Sequence, residues 1–263
     1  MYCWNPADYL KNSPAQKAWA EELVEKLRLT GTERVLDIGC GDGKVTAEIA
    51  ARVPGGAAAG IDSSDEMIRF ARENYPETRF PNLSFTRMDM REIRLPGTFD
   101  IAFSNAAMHW VLDHRPVLAG IRASLRTGGR LLFQMGGKGN ATRVFATLGV
   151  LMETERWKPY FTDFEEPYYF PGPEEYSELL VEAGFSPRRA ELIPKTMTYP
   201  DAEGFLGWMR TTWLPYTSRL PEELRPVFLS DALETYLAEY PPDPDGSIRV
   251  PMVRFEIEAI RDF

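Results

Sequence analysis

The sequence is poor in the residues that build disulfide frameworks and metal sites. It holds only two cysteines, Cys3 and Cys40, and two histidines. Two cysteines so far apart give neither a disulfide framework nor a zinc-site spacing, so we expect no metal. A run of about 20 apolar residues, which a membrane span would need, is also missing. The polar and aromatic start lacks a signal-peptide pattern. We therefore expect a soluble, cytoplasmic protein with no membrane partner.

An excess of basic charge is missing as well. The formal net charge is -9 and the pI is near 5.0. Nucleic-acid binding needs a basic face, so the composition disfavours a nucleic-acid partner, although a local patch can hide in an acidic total. With 263 residues, 44% of them hydrophobic, the chain can bury a sizeable core. It is long for one domain and short for two.

Apolar runs with strand-like length alternate with helical patterns over residues 33–137. This alternation predicts an α/β fold, a parallel sheet with helices on both faces. After residue 140, helical stretches are expected at 142–157, 173–184, 201–213 and 221–240. Two extended runs, RRAELIPKTMTY and IRVPMVRFEIEAI, are expected to pair with each other and with the sheet.

We interpret residues 1–263 as a single domain with three parts. Residues 33–137 form the ligand-binding core, and residues 1–30 form an N-terminal helical cap. Residues 200–247 carry several Trp and Tyr residues and form a helical lid inserted between the last two strands.

Polar residues and glycines stand where the predicted strands end, which is where ligands bind in such sheets. The first strand runs into DIGCGDG, with Gly at alternate positions. A dinucleotide fingerprint would require a further Gly at Lys44. Asp62, after the second strand, is suited to ribose hydroxyls. Asp89, after the third, is suited to an adenine amino group. The alternative for the loop is a tight turn without a ligand.

Four motifs in order, VLDIGCGDG, GIDSS, the MD at Met88–Asp89 and FDIAFSN, resemble those of class I S-adenosylmethionine (SAM) dependent methyltransferases. The resemblance implies a doubly wound, mostly parallel, seven-stranded Rossmann-like sheet. It also implies SAM as cofactor, with S-adenosylhomocysteine as product and no metal. The cofactor-binding residues that it implies are Asp37, Gly39, Gly41, Asp62, Ser63, Asp89, Met90 and Asn105. Asp37 has an alternative role as a cap at the strand end.

A narrower resemblance covers WNPADYLKNSPAQ, SNAAMHWVLDHRPVL, LLFQM and FLGWMRTTWLPYTSRLP. These segments are similar to the trans-aconitate methyltransferase group and to insect juvenile hormone acid methyltransferases. The similarity implies O-methylation of a small-molecule carboxylate, with Gln16, His109 and Trp110 as candidate donors to the acceptor. The loop GGKGN after LLFQM departs from the aconitate enzymes. If the acceptor is a phenol, an amine or a carbon, His109 is instead the base.

Aromatic and basic residues of the later segments are candidates for acceptor binding: Tyr160, Trp208, Arg210 and Trp213. Core packing for the aromatic residues and a surface position for Arg210 are the structural alternatives. His114 is interpreted as a turn or cap residue. Amino-directed nucleic-acid methyltransferases carry an (Asp/Asn)-Pro-Pro-(Tyr/Phe) motif where this chain has SNAA. A non-catalytic SAM-binding regulator is a further alternative, and the oligomeric state stays open.

Overall fold

A computed structural model describes residues 14–262, with side chains from Trp19 onward. Its centre is a seven-stranded sheet in the order β3-β2-β1-β4-β5-β7-β6. The strands β1 to β5 are parallel to one another, and β7 is antiparallel to β5. The strands are β1 Arg34–Ile38, β2 Ala57–Asp62, β3 Leu83–Arg87, β4 Phe99–Asn105, β5 Leu125–Gly136, β6 Phe185–Tyr199 and β7 Ile248–Arg261.

The α-helices follow the strands in the alternation that the sequence predicts. They are α1 Pro14–Lys26, α2 Lys44–Arg52, α3 Asp65–Asn74, α4 Arg115–Ser124, α5 Thr142–Met152, α6 Pro173–Glu182, α7 Ala202–Thr212, α8 Leu214–Thr217 and α9 Arg225–Glu239. Short 3₁₀ turns follow β3 and β4, at Met90–Glu92 and Met108–Trp110.

Apolar side chains of the central strands alternate between two cores, because successive residues of a strand point to opposite faces. Leu131 and Phe133 enter one core and Leu132 enters the other. The first core is closed by α4 and α6, and the second by α1, α2 and α3. Both faces of the sheet are therefore covered by helices, and its carboxyl edge is left to the loops.

The predicted α/β fold with a doubly wound seven-stranded sheet is confirmed. Some boundaries differ. The helix predicted over 142–157 ends at Met152, where the Thr154 hydroxyl donates to the Leu151 carbonyl and satisfies the last turn.

The described chain divides into two compact units. One holds Gln16–Lys138, Tyr168–Ile193 and the chain from Arg254 onward, and the other holds Gly139–Pro167 and Pro194–Val253. In chain order, α7, α8 and α9 lie between β6 and β7, as predicted for the lid segment. The roles of 200–247 as a lid and of 1–30 as a cap stay predictions, and residues 1–13 lie outside the described part.

Within residues 14–262, the helices are all too short or too polar to cross a bilayer. The described residues also contain no cluster of three or more His, Cys, Asp or Glu side chains arranged to hold a metal ion.

Candidate active site

The loop between β1 and α2 is held in shape by three glycines with left-handed backbone. Gly39, Gly41 and Gly43 have φ values of 75°, 53° and 81°. The N–H groups of Gly39 and Cys40 both donate to the Ile61 carbonyl, at 2.8 and 3.0 Å, which ties the loop to the end of β2. A methyl group on Gly39 would overlap the Ala107 Cβ, whereas one on Gly41 would meet no atom within 4 Å. Gly41 therefore borders open space that a ligand can approach closely.

Asp62 ends β2 with both carboxylate oxygens oriented by the backbone. Its Oδ2 accepts from the Gly41 N–H at 3.0 Å, and its Oδ1 accepts from the Ser64 N–H at 2.9 Å. Burial raises the pKa of this carboxyl, against the effect of the backbone hydrogen bonds. Each oxygen retains capacity for a further donor, so the carboxylate is positioned to bind two adjacent hydroxyl groups.

Asp37 lies near the carboxyl end of β1 and is only 2% exposed. Its carboxylate accepts a hydrogen bond from the Thr46 hydroxyl at 2.6 Å. Burial, with the negative charges of Asp62 and Asp42, raises the pKa of Asp37 to about 7. The pKa of Asp42 is itself raised, chiefly by burial. The charged form of Asp37 is thus disfavoured by burial and by two acidic neighbours, and a bound cation would stabilise it.

Asp89 caps the turn after β3, and both its oxygens contact Arg91. Arg91 donates from its backbone at 2.8 Å, from Nε at 3.0 Å and from Nη2 at 2.5 Å. These side-chain hydrogen bonds lower the pKa of Asp89. An adenine amino group that donates to Asp89 would therefore bind a carboxylate that is already paired with Arg91. Met90 lies beside the glycine loop, with its methyl carbon 3.6 Å from where a Gly39 side chain would begin.

Ser63 contributes its backbone carbonyl, which accepts from Arg87 Nε at 3.3 Å. The cap at the start of α3 is the neighbouring Ser64, whose hydroxyl accepts from the Met67 N–H at 3.2 Å. The structure gives the Ser63 side chain no such contact, and its part in cofactor binding stays a prediction.

Asn105 ends β4 with an unsatisfied side chain. Its Oδ1 is buried and has no hydrogen-bond partner among the described residues. The next residue, Ala106, has φ 55°, a left-handed conformation that costs about 1–2 kcal/mol for a residue with a Cβ. A buried acceptor beside a strained turn is typical of a ligand-binding edge.

His109 and Trp110 follow this turn and join an aromatic cluster, which we call the aromatic wall and define as His109, Trp110, Tyr168 and Phe170. Trp110 contacts Tyr168 edge-on with ring centres 4.8 Å apart, and Tyr168 stacks on Phe170 at 5.5 Å. The His109 ring lies 5.6 to 6.0 Å from the other three rings. The segment is fixed by the Tyr169 N–H, which donates to the His109 carbonyl at 3.0 Å.

His109 is neutral at physiological pH. Burial, followed by the charges of Arg254 and His114, lowers its pKa to about 3. The Gly136 N–H is directed at His109 Nδ1 across 3.4 Å. Because Nδ1 then acts as the acceptor, the single ring proton belongs on Nε2. The ring can thus donate a hydrogen bond from Nε2.

His114 is the N-cap residue of α4, in agreement with its interpretation as a turn or cap residue, and its side chain has a further contact. The side chain makes no capping bond and is 1% exposed. Its Nδ1 accepts from the Tyr176 hydroxyl and its Nε2 donates to the Met108 carbonyl, both at 2.9 Å. The ring therefore joins α6 to the turn that presents His109. The sequence contained no signal for this contact.

The predicted acceptor-binding residues belong to the other unit. Trp208 and Trp213 are 7% and 3% exposed and contact each other edge-on at 5.9 Å. Arg210 is exposed and Tyr160 is half-buried. The two tryptophans are thus buried, whereas Arg210 lies on the surface. Packing accounts for the two tryptophans within their unit, and the binding role of all four stays a prediction.

Gln16 lies in α1, but its side chain falls outside the described residues. One turn later, Trp19 is described, and the Arg254 guanidinium lies over its ring at 4.4 Å. Sequence reasoning missed Arg254, Tyr168 and Phe170. The aromatic run EEPYYF was a visible signal for the last two, whereas nothing local marked Arg254.

The site fits a nucleoside cofactor that carries positive charge. Gly41 leaves room for close approach, Asp62 offers an oriented carboxylate, and Asn105 offers an unsatisfied acceptor. The acidic group around Asp37 favours a cation over a phosphate.

Comparison with known proteins agrees with this geometry. A family profile described as "Methyltransferase domain" matches residues 35–129. A trans-aconitate 2-methyltransferase of Deinococcus radiodurans is 33% identical over 90% of this chain and 92% of its own. One from Azoarcus sp. BH72 is 30% identical over 99% of this chain and 100% of its own.

Among solved structures, the YcgJ protein of Bacillus subtilis superposes with a TM-score of 0.63 at 16% identity. The match covers 93% of this chain and 98% of that one, and it supports the fold. Together with the full-length relatives, this shows that the chain belongs to the class I SAM-dependent methyltransferases.

Proposed function

We propose that this methyltransferase transfers the methyl group to the oxygen of a small-molecule carboxylate. The observation that carries the proposal is the state of His109, a neutral ring whose Nδ1 accepts from a backbone N–H. Bound SAM supplies an electrophilic methyl group on a sulfonium. The protein must then hold an acceptor in line with it and keep water away.

A carboxylate needs no base. Its pKa lies near 4, so it is already ionised and nucleophilic at neutral pH. What it needs is a donor for the oxygen that does not attack, since an unpaired charged oxygen is costly in a dry site. His109, with its proton on Nε2, is such a donor. Trp110 and Gln16 are further candidates, through an indole and an amide N–H.

A phenol or an amine would need a base of suitable pKa near the acceptor. His109 is unsuited to that role because its pKa is held at about 3 by burial and by neighbouring charge. Its Nδ1 also faces the Gly136 N–H, not a substrate. This contrast favours the carboxylate over the alternative acceptors.

For the cofactor, we propose that Gly39 and Gly41 lie against the methionyl part and that Asp62 and Ser63 hold the ribose. Asp89 and Met90 would hold the adenine, with Arg91 keeping Asp89 in place. Asn105 would face the cofactor near the transferred methyl group, and Asp37 would contact the ammonium group directly or through water. These assignments are supported by the oriented carboxylate of Asp62 and by the space above Gly41.

The relatives support the acceptor class. Both named relatives are trans-aconitate 2-methyltransferases, which act on a carboxylic acid by name. The second unit carries Tyr160, Trp208, Arg210 and Trp213, which we propose as acceptor-binding residues, with Arg210 as a partner for a remote carboxylate.

A pair of substitutions at one position tests the proposal. His109→Gln keeps an N–H donor near the Nε2 position, whereas His109→Leu removes it. If His109 donates, the Gln variant retains kcat/KM for an acid within about tenfold, and the Leu variant loses more, because a hydrogen bond to a charged group contributes about 1.5–3 kcal/mol. We also expect a kcat/KM profile with no rise around the ordinary histidine pKa.

The opposite result would identify a base. In that case both variants would lose about 100-fold or more, and the wild-type rate would rise as a histidine deprotonates. Methylation confined to phenols or amines would likewise contradict the carboxylate assignment. SAM affinity, measured by calorimetry on each variant, controls for damage to the cofactor site.

A further inference from the structure

A strained turn carries His109. It runs over residues 106–110, from Ala106 with its left-handed φ of 55° into the 3₁₀ turn Met108–Trp110. A turn this short closes few hydrogen bonds of its own, and an unfavourable φ persists only where the surroundings hold it. The position of the turn therefore depends on contacts from outside it.

Hydrogen bonds from the neighbouring strand and from a buried side chain hold this turn. The Ala106 N–H donates to the Gln134 carbonyl of β5 at 2.7 Å. Two residues later, the Met108 carbonyl accepts from His114 Nε2 at 2.9 Å. The His114 side chain is thus bound to the backbone of the residue immediately before His109.

The two neighbours of the His114 ring fix where its proton lies. A carbonyl only accepts, so Nε2 carries a proton toward Met108. Burial lowers the pKa of His114 to about 4, against the hydrogen bonds with the Met108 and Val111 backbone. The ring is therefore neutral and Nδ1 is an acceptor. The Tyr176 hydroxyl, 2.9 Å from Nδ1, must then be the donor, and the hydrogen bonds run from Tyr176 through His114 to Met108.

The far end of this chain of hydrogen bonds is fixed in the core. Tyr176 lies in α6, is fully buried and packs edge-on against Phe255 of β7 with ring centres 5.6 Å apart. Leu180 of the same helix enters the same core. The His114 ring lies edge-on to Tyr176 at 5.5 Å and to Tyr169 at 5.0 Å. A packed helix thus supplies the fixed point against which the turn is placed.

His114 and Tyr176 are not placed to touch an acceptor themselves. They are 1% and 0% exposed, and their polar atoms bond to each other and to Met108. The rate of methyl transfer nevertheless depends on them if they place His109, because moving a group at the reacting centre by about 1 Å can cost about 100-fold.

We propose that His114, held by Tyr176, is a positioning residue that sets where the His109 ring lies in the active site. This inference rests on the proposed function, in which His109 donates to the acceptor. Without the Tyr176 hydroxyl, His114 Nδ1 becomes a buried acceptor with no donor, and the ring and the turn shift together. The effect falls on kcat more than on SAM affinity, because a misplaced donor stabilises the transition state less.

Substitutions at these two residues test the proposal. Tyr176→Phe removes one hydroxyl group and keeps the ring packing. His114→Gln retains an acceptor and an N–H donor, whereas His114→Leu has neither. Ser124→Ala is the matched control, since Ser124 is a buried residue at the opposite end of α4 whose hydroxyl donates to the Gly120 carbonyl at 2.8 Å.

NMR gives a readout that needs no turnover. The chain has two histidines, so labelling the histidine rings with ¹³C gives two sets of ring signals, which His109→Leu assigns. In the S-adenosylhomocysteine complex, we expect Tyr176→Phe to move the His109 signals as well as those of His114. Ser124→Ala should leave the His109 signals in place. His109 signals that keep their wild-type positions in Tyr176→Phe would overturn the inference.

Kinetics give the second readout, with whichever acid, phenol or amine the enzyme methylates fastest. We expect kcat to fall about tenfold in Tyr176→Phe and further in His114→Leu, and to stay within about threefold of the wild type in His114→Gln. Ser124→Ala should match the wild type. In the His109→Leu background, Tyr176→Phe should change kcat by less than about twofold, because the group that it displaces is gone.

The inference and the proposed function can fail separately. If His109→Leu is slow and Tyr176→Phe lowers kcat equally in both backgrounds, Tyr176 does not act through His109 and the inference alone is overturned. If the His109 signals move in Tyr176→Phe but His109→Leu keeps the wild-type kcat, the placement of the ring by His114 is supported. In that case His109 does not serve the acceptor, and the donor role in the proposed function is refuted.

Discussion

At the scale of single residues, the Asp62 carboxylate of the proposed cofactor site is oriented by the backbone. Two backbone N–H groups fix it, from Gly41 and Ser64. We expect Asp62→Ala to weaken SAM binding by about 10- to 100-fold, since hydrogen bonds to a charged group contribute about 1.5–3 kcal/mol. Calorimetric titration measures this. Asp65→Ala, an exposed acid three residues on, is the control, and unchanged SAM affinity in Asp62→Ala would refute the assignment.

We expect cofactor binding to depend on pH through Asp37, which we propose as a partner of the ammonium group. Its pKa is raised to about 7, chiefly by burial, so the folded protein holds it partly protonated at neutral pH. A cationic ligand favours the carboxylate and lowers that pKa, so binding releases a proton. SAM affinity should therefore increase between about pH 6 and pH 8 and level off above the folded pKa.

Calorimetry in two buffers with different ionisation enthalpies counts the protons released on binding. Asp37→Asn cannot release one, and its SAM affinity should be lower and should not vary over this pH range. A wild-type affinity that falls as the pH rises would contradict this account of Asp37.

The positions of Asp37, Asp62, Asp89 and Asn105 at strand ends followed from the sequence, because the carboxyl ends of parallel strands meet at one edge. The contacts that these side chains make could not be predicted from the sequence. The Arg91 pair on Asp89 depends on side-chain rotamers. The contact of Arg254 with Trp19 joins the two ends of the chain and leaves no local pattern.

At the scale of elements, the glycine loop borders open space at Gly41 and packed side chains at Gly43. A methyl group on Gly41 meets nothing within 4 Å, whereas one on Gly43 lies 2.6 Å from Phe85 Cζ. Both residues have positive φ, so each Ala variant carries about 1–2 kcal/mol of backbone strain. We expect Gly43→Ala to lose more stability, and Gly41→Ala to lose more SAM affinity than its stability change explains.

Thermal unfolding and SAM titration of the two variants give both quantities. Equal losses of stability in both variants would contradict the packing difference around the loop. Full SAM affinity in Gly41→Ala would show that the space beside Gly41 is not used by the cofactor.

The N-terminal helix α1 is joined to the sheet by a buried ion network. Glu256, fully buried, accepts from Lys26 of α1, from Arg189 and from Gln134. Glu256→Gln leaves Lys26 and Arg189, whose side chains are 32% and 23% exposed, without their buried anion. We expect a loss of about 1–3 kcal/mol in the free energy of unfolding, from the weakened hydrogen bonds to a charged group. Urea unfolding measures it.

The matched control is Glu258→Gln on the same strand. Glu258 is 33% exposed and lies 3.5 Å from Arg130, so its loss should cost about 1 kcal/mol or less. If the two variants are equally stable, the network does not hold α1 in place.

Elements were predictable where hydrophobic periodicity was strong, as in the alternation over residues 33–137. The residues at which helices and strands end were harder to predict. Helix α5 ends at Met152, and the Thr154 hydroxyl donates to a carbonyl of its last turn, a contact that periodicity does not show. The aromatic wall was missed because Tyr168 and Phe170 precede a helix with no strand or helix pattern of their own.

At the scale of the whole molecule, fold and family followed from the order of the motifs, since each falls at the end of a different strand. The identity of the methyl acceptor could not be predicted from the sequence, because the residues proposed to bind it come from distant parts of the chain. His109 acquires its low pKa from burial and from the charges of Arg254 and His114, which are features of tertiary structure.

The central claim is methyl transfer to a carboxylate, and mass spectrometry tests it most directly. The protein is incubated with SAM and a panel of acids, phenols and amines, with acids from aconitate to fatty and terpenoid acids. The account predicts that at least one acid gives a product heavier by one methylene unit. Mild base should hydrolyse this product back to the acid, as expected of a methyl ester. Products formed only from phenols or amines, or a methyl group stable to base, would contradict it.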